Sequence, residues 1–460
     1  MKTEPVFFLA VLLIALLTNT PIQAENDGRC VLSLDGVWKF CPAFEELQYN
    51  HAFLQENLSN QRTYSKEDPD KNYGWIETDF DDDAWWDINV PSSWNQSFPD
   101  LWSYEGHGWY RKKVFIPEYW KNKRVLFVSD GANYRTVLYV NGNKAGVHEG
   151  GYTRFSFPIH QYLKFGEENT LAASVDNLSL PERCPSERHD WWNHGGLYRS
   201  VRLEASNRIY IDDVKIVADA TASPPTIQVE PVVRAELGSG NPVPPNLVLR
   251  TELYSSIGDF MACHIGGLHF ERDVASVTST FPVENVLLWS PDKPYLYRIV
   301  LGIYREGGNQ AIDQWSTRVG IRSIQIEKDQ LLLNGKPLLI QGVNRYENYA
   351  DTGMTPNDTA LRQDIHLMKQ MGVNAVRCHY THSPETYDLY DEAGLLTICE
   401  VPLYQWGRPG HSTKNLDAAK VQLTEMIETL GNHPSVMMWS VSNENRIWPK
   451  EESEEHRKLS

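Results

Sequence analysis

The chain has 460 residues, and at about 150 residues per domain that length argues for three domains and against a single small module. Apolar residues make up 41% and charged residues 22%, with 30 Gly and 26 Pro, a mixture that excludes collagen-like, coiled-coil and wholly disordered chains. Lys and Arg number 43 against 60 Asp and Glu, a net charge of -17 with no basic stripe, which excludes a general nucleic-acid binder.

The N-terminus carries one Lys and then an apolar run over 6–17 that ends in a polar, Pro-containing stretch. Twelve apolar residues are too few to span a bilayer, so residues 1–24 are predicted to be a secretory signal peptide cleaved after Ala24. No second long apolar run follows. The expectation is an exported protein, periplasmic or extracellular, without a stable membrane anchor. Six Cys lie scattered without metal-ligand spacing, and in an oxidising compartment Cys30 could bridge to Cys41. Sequons stand at Asn57, Asn95, Asn177 and Asn357 and matter only in a source that glycosylates.

From about 33 to 201 the pattern is short β-rich segments of alternating polarity between Gly, Asn and Asp turns. The segment 136–140 followed by Asn141-Gly142 is a strong hairpin signal. We read residues 25–206 as a jelly-roll β-sandwich. Residues 207–325 repeat the strand grammar around a Pro-rich interruption at 242–245, and their length fits a seven-stranded immunoglobulin-like sandwich. The 15 Trp and 22 Tyr suit large cores, and also ligands that combine C–H faces with hydroxyls, as sugars do.

After Gly335 apolar runs alternate with amphipathic helices. Strands are predicted over 338–343, 373–378, 395–401 and 436–441, and helices over 358–371, 384–393 and 416–430. Asn357 and Ser383 are placed to cap helix N-termini, Pro384 suits a first helical position, and Gly372, Gly394 and Gly431 suit helix ends. Successive β-α units imply a parallel sheet with right-handed crossovers, so residues 326–460 read as the first half of a (β/α)8 TIM barrel. Working residues of such barrels project from the C-terminal ends of strands. Here those ends carry Asn344, Arg345, Tyr346 and Glu347, then Arg377, His379 and Tyr380, then Glu400, and last Asn443 and Glu444.

Singly, such groups cap strand ends or form salt bridges; their recurrence at the same end of four strands points to a site. A ring of carboxylates and amides without nucleotide-binding Gly runs or a metal motif suits glycoside hydrolysis. Glu444 is the candidate general acid/base, with Asn443 beside it to hydrogen-bond the sugar 2-hydroxyl.

These residues resemble glycoside hydrolase family 2, the β-galactosidase, β-glucuronidase and β-mannosidase family. Gly431-Asn-His-Pro-Ser-Val-Met-Met-Trp-Ser-Val-Ser-Asn-Glu444 is similar to its acid/base signature. Leu34-Asp-Gly-Val-Trp38, Val90-Pro-Ser-Ser-Trp94, Gly146-Val-His-Glu-Gly-Gly-Tyr152 and Gly195-Gly-Leu-Tyr-Arg199 resemble its sugar-binding domain. Trp289-Ser-Pro291, Gly342-Val-Asn-Arg345, Asn374-Ala-Val-Arg377 and Tyr387-Asp-Leu-Tyr-Asp-Glu-Ala-Gly394 follow in the family's order.

The resemblance implies a retaining hydrolase of terminal β-linked sugars, with β-galactosidase-like activity as the first reading and a carbohydrate as partner. It implies Glu444 as acid/base and Asn443, Asp190, Arg377, His379 and Asn344 as substrate-binding residues. A homo-oligomer is left open, and no cofactor is expected.

Tyr346 stands where many members have His, and Ser442 where Gly is usual. Tyr404 and Trp406 follow strand three where some β-galactosidases hold magnesium through an acidic residue and a His, so no such metal site is expected. A full barrel takes about 250 residues, and 338–460 is roughly half of that. The family's nucleophile, a Glu on a late strand, is therefore expected to lie outside this sequence. The alternative is a non-catalytic carbohydrate-binding remnant, or a fragment that needs a complementing chain.

Overall fold

The structure, a computed structural model, describes residues 22–23, 28–43, 74–186, 189–238, 240–406 and 413–445. The signal-peptide segment, save Ile22–Gln23, lies outside them, as does Asn57. Ile22–Gln23 form a short edge strand against Val31 and Leu32. No helix among the described residues is long and apolar enough to cross a membrane.

The first domain packs a five-stranded antiparallel sheet on a six-stranded one. Alternation along the strands, as in Cys30–Ser33, sends every second side chain into the space between the sheets. Trp38, Phe40, Trp94, Tyr110, Trp120 and Phe127 fill it. The predicted hairpin forms between Arg135–Val140 and Asn143–Glu149, with Asn141 and Gly142 both at positive φ as a type I′ turn requires. The suggested Cys30–Cys41 bridge does not form: the two residues sit in strands of different sheets, and all six cysteines are free. Two sequon asparagines are spent internally. Asn95 Nδ2 donates to the carbonyls of Leu101, Trp102 and Tyr104, and Asn177 Nδ2 to that of Asn193.

The second domain is a sandwich of two four-stranded antiparallel sheets. Val274–Ala275 and Ser279–Pro282 pair in turn with Thr226–Ala235, so one strand position is interrupted and seven positions remain.

The third unit is a parallel sheet of four strands in sequence order, β1 (Gly342–Arg345), β2 (Ala375–Cys378), β3 (Leu396–Glu400) and β4 (Val436–Ser440). Helices α1 (Asp358–Gln370), α2 (Pro384–Ala393) and α3 (Lys414–Leu430) follow the first three. Leu361, Ile365 and Met368, spaced at i, i+4 and i+7, put one face of α1 into a core shared with Tyr387, Tyr390, Met426 and Leu430.

Asn357 caps α1 through the Ala360 amide, and Gly394 ends α2 at φ 68. Ser383 instead bonds its hydroxyl to Thr386 Oγ1. Gly431 keeps right-handed helical geometry because the chain turns immediately into Asn432 and His433.

The first barrel strand begins later than the 338–343 expected. Leu338 N–H donates to Leu331 O, and Leu339 and Ile340 are exposed. Leu338 extends a three-stranded antiparallel ribbon (Ile324–Glu327, Gln330–Leu333, Lys336–Pro337), and pairing with β2 starts at Gly342.

Much of the 431–435 motif is architectural. The Asn432 amide bonds both Ile216 N and Val214 O of the second domain, and Asp391 receives His433 Nδ1 and Ser435 N. The first domain is tied to the barrel by Arg199, whose guanidinium donates to Glu347 Oε2 at 3.0 Å and to Thr381 O at 2.7 Å. Arg199 and Glu347 are each 1% exposed. Gly353, at φ 58, allows the turn after β1 to approach the first domain, since a Cβ there would lie 2.5 Å from His194 and 2.9 Å from Gln96.

Candidate active site

Register places Asn344 beside Arg377, and Cys399 and Glu400 beside Trp439 and Ser440, so alternation puts Asn344, Arg377, Glu400 and Ser440 on the sheet face away from the helices. Arg345, one residue out of phase, points back and bonds Asp364 of α1.

Glu400 is the hub of that face. It is 1% exposed and receives Arg377 Nη2 at 2.7 Å, His379 Nδ1 at 2.8 Å and Ser440 Oγ at 2.6 Å. A buried carboxylate needs such company, because an unpaired one would cost several kcal/mol. The bond to Glu400 assigns the His379 proton to Nδ1, with Nε2 facing Arg377 at 3.3 Å. Tyr346 stacks on the His379 ring at 5.2 Å between centroids, and Trp191 lies 6.1 Å away on a loop of the first domain. Arg377 and His379, expected among the sugar contacts, are thus both committed to Glu400.

Arg377 also acts on Asn443. Its Nη2 donates to Asn443 Oδ1 at 2.7 Å, which fixes the amide with Nδ2 as the free donor. Asn443 and Glu444 lie just past β4, beside the segment that follows β3. Tyr404 bridges Asn443, Gln405 N donates to Asn443 O, and Asn443 N donates to Leu403 O. Both Gln405 (φ 50) and Glu444 (φ 49) adopt the left-handed backbone, uncommon and costly for residues with a Cβ. That turn directs the Glu444 carboxylate to Gln405 Nε2 at 2.8 Å. Gln405 Nε2 lies 3.2 Å from Tyr404 Oη, which donates to Asp190 Oδ2. A polar chain therefore joins Asp190 of the first domain to Glu444 of the barrel. Desolvation and the Asp190 carboxylate raise the Tyr404 hydroxyl above its ordinary pKa, so it stays a donor.

The structure thus brings Glu444, Asn443, Arg377, His379 and Asp190 to one end of the sheet, and Asn344 to the same face, exposed. Sequence reasoning passed over Gln405, Ser440 and Trp191. Trp191 was legible as part of His189-Asp-Trp-Trp, next to the flagged Asp190, whereas nothing in the local sequence marks Gln405. Tyr404, read as a replacement for a metal ligand, instead holds Asp190.

Three family models match in succession: the sugar binding domain of glycosyl hydrolases family 2 over residues 31–206, the glycosyl hydrolases family 2 model over 209–322, and the family's TIM barrel domain over 324–459. A putative beta-glucuronidase of Formosa agariphila is 32% identical over 433 residues, covering 91% of this chain and 51% of that protein. A beta-galactosidase of Thermoanaerobacter pseudethanolicus is 32% identical over 376 residues, covering 79% of this chain and 48% of that one. The crystal structure of Bacteroides uniformis beta-glucuronidase superposes with a TM-score of 0.78 at 26% identity, covering 94% of this chain and 49% of that chain. The chain spans about half the length of these relatives. Two sandwiches and a half-barrel in this order, with Asn443 and Glu444 at the end of β4, lead to one conclusion: the chain belongs to glycosyl hydrolases family 2.

Proposed function

We propose that this is an exported β-glycosidase that removes terminal β-linked sugars with retention, and that Glu444 is its general acid/base. The observation that carries the reading is the fixed Asn443 amide: Arg377 occupies its oxygen, leaving Nδ2 to donate to a sugar 2-hydroxyl beside Glu444. That hydrogen bond strengthens as positive charge develops at the anomeric carbon.

In the first step a carboxylate attacks the anomeric carbon while protonated Glu444 delivers its proton to the departing glycosidic oxygen. In the second, Glu444 takes a proton from water, which attacks the glycosyl-enzyme and releases the sugar. Glu400 is unsuited to attack, because both its oxygens are engaged by Arg377, His379 and Ser440. A closed barrel has eight strands and four are described here. The nucleophile is assigned to the other half, whether in a longer polypeptide or on a complementing chain.

Charge favours a neutral terminal sugar such as a β-galactoside. With Glu444 carrying the proton it delivers, Asp190 and Glu400 remain as carboxylates on this half of the site, and Arg377 is already paired. A second reading, β-glucuronide, is favoured by the likeness to proteins named beta-glucuronidase.

Assay of the protein with its barrel completed by the nucleophile-bearing half, in a longer polypeptide or with the complementing chain, on 4-nitrophenyl β-D-galactoside, β-D-glucuronide and β-D-mannoside separates these readings. Turnover that disappears in Glu444→Gln supports the proposal, and turnover that survives it sinks the acid/base assignment. Sugar binding without turnover supports the carbohydrate-binding alternative.

A further inference from the structure

The loop that carries Asp190 and Trp191 continues into a second aromatic feature. Asp190 and Trp191 face the strand ends, and the next residue, Trp192, turns outward and stacks on Trp102 with centroids 4.3 Å apart and planes at 25°. These rings are among the most exposed large apolar side chains of the domain, at 59% for Trp102 and 37% for Trp192.

The pair is held in place. Trp192 Nε1 donates to Trp102 O at 3.3 Å, Asn95 Nδ2 donates to the same carbonyl at 3.2 Å, and His194 N donates to Trp192 O. On the other flank Asn193 is pinned by Asn177 O, Ser179 Oγ and Asn133 Nδ2. Two large apolar faces are thereby kept ordered in water, where rings of this size normally pack away.

We propose that Trp102 and Trp192 form a carbohydrate platform for the sugar on the leaving-group side of the scissile bond. The inference rests on the proposed glycosidase reading. Consecutive Cα atoms are about 3.8 Å apart, so the Trp192 Cα lies within about 7.6 Å of that of Asp190. That places the rings at the rim of the site, where the rest of an oligosaccharide emerges once its terminal sugar is bound. A pyranose offers an axial C–H face to an indole and keeps its hydroxyls in water. Because Trp192 Nε1 is already bonded, recognition at that ring is by its face, which tolerates varied hydroxyl patterns.

The test is an indole N–H NMR spectrum of this chain labelled with 15N-tryptophan and with its barrel completed by the nucleophile-bearing half, signals being assigned by single Trp→Phe variants. Paired probes are methyl β-D-galactoside against lactose, and methyl β-D-glucuronide against a β-glucuronyl disaccharide. Both members of the productive pair should move Trp191, and only the disaccharide should move Trp102 and Trp192. Trp102→Ala should weaken disaccharide binding roughly tenfold and leave the methyl glycoside unchanged; Trp192→Phe keeps a ring and should lose less.

A disaccharide that moves Trp191 but neither platform ring overturns this inference alone. No movement of Trp191 with any probe overturns the glycosidase reading and the platform with it. A 4-nitrophenyl glycoside that reaches the platform while disaccharides do not shows an aromatic aglycone site, and the sugar assignment fails.

Discussion

Two arginine–glutamate pairs lie near neighbouring strand ends and use the same chemistry for different ends. Arg199 and Glu347 join the first domain to the barrel with every partner buried, and Thr386 Oγ1 and the Ser383 amide take up the remaining carboxylate lone pairs. Arg377 and Glu400 stand on the open face of the sheet, where the arginine is 28% exposed and the Nη2 that bonds Glu400 also donates to Asn443. Burial makes the first pair intolerant of loss. Partial exposure makes the second a support for neighbouring side chains.

The contrast is sharpest in Glu347→Ala, which strands Arg199 in the seam and should cost about 3–5 kcal/mol in urea denaturation. A loss below about 1 kcal/mol would show that the seam relaxes around the gap.

Acid should also act on the seam. Burial lowers His382, beside Glu347, to about 3. Below its unfolded value of about 6.5 the unfolded chain binds a proton that the folded chain refuses until about pH 3, so stability falls progressively through that window. His194, lowered by burial to about 4, adds a loss of the same sign. Burial alone would raise Glu347, but His382, Arg199 and Arg345 together outweigh it and hold the carboxyl below its usual range, which extends the acid loss below about pH 4. Near pH 5 the His382 contribution is about 2 kcal/mol, visible as a lower Tm than at pH 7.5. A flat profile between those values would contradict the buried neutral imidazole.

Glu400→Gln keeps the shape of the open-face pair and removes its charge, so a loss of about 1–2 kcal/mol is expected. Its signature is functional: Arg377 is released, the Asn443 amide loses its fixed orientation, and kcat should fall more than KM rises. Glu444→Gln is the smallest structural perturbation, within about 0.5 kcal/mol, because the side chain is exposed and its hydrogen bond among the described residues is to Gln405. Loss of turnover at unchanged Tm is the expected result.

The barrel helices and later strands were legible because β-α alternation writes its period into the sequence, and Asn443-Glu444 because it falls at a strand end. The start of β1 was not, since Leu338 to Ile340 are as apolar as a strand, yet Leu338 extends the preceding antiparallel ribbon and Leu339 and Ile340 are exposed. The site's polar chain was equally hidden. Gln405 meets Glu444 only because both backbones turn left-handed, and Arg199 meets Glu347 across 148 residues of sequence.

The internal use of Asn95 and Asn177 has a practical consequence for making the protein. Each sits in a glycosylation sequon, yet each amide is buried and bonded within the loops that carry the tryptophan pair. An oligosaccharide attached during passage through a eukaryotic secretory pathway would have to be expelled from that interior, so the first domain could not close. Expression in yeast or insect cells should therefore yield misfolded, retained material, and replacing Ser97 and Ser179 by Ala should restore secretion there.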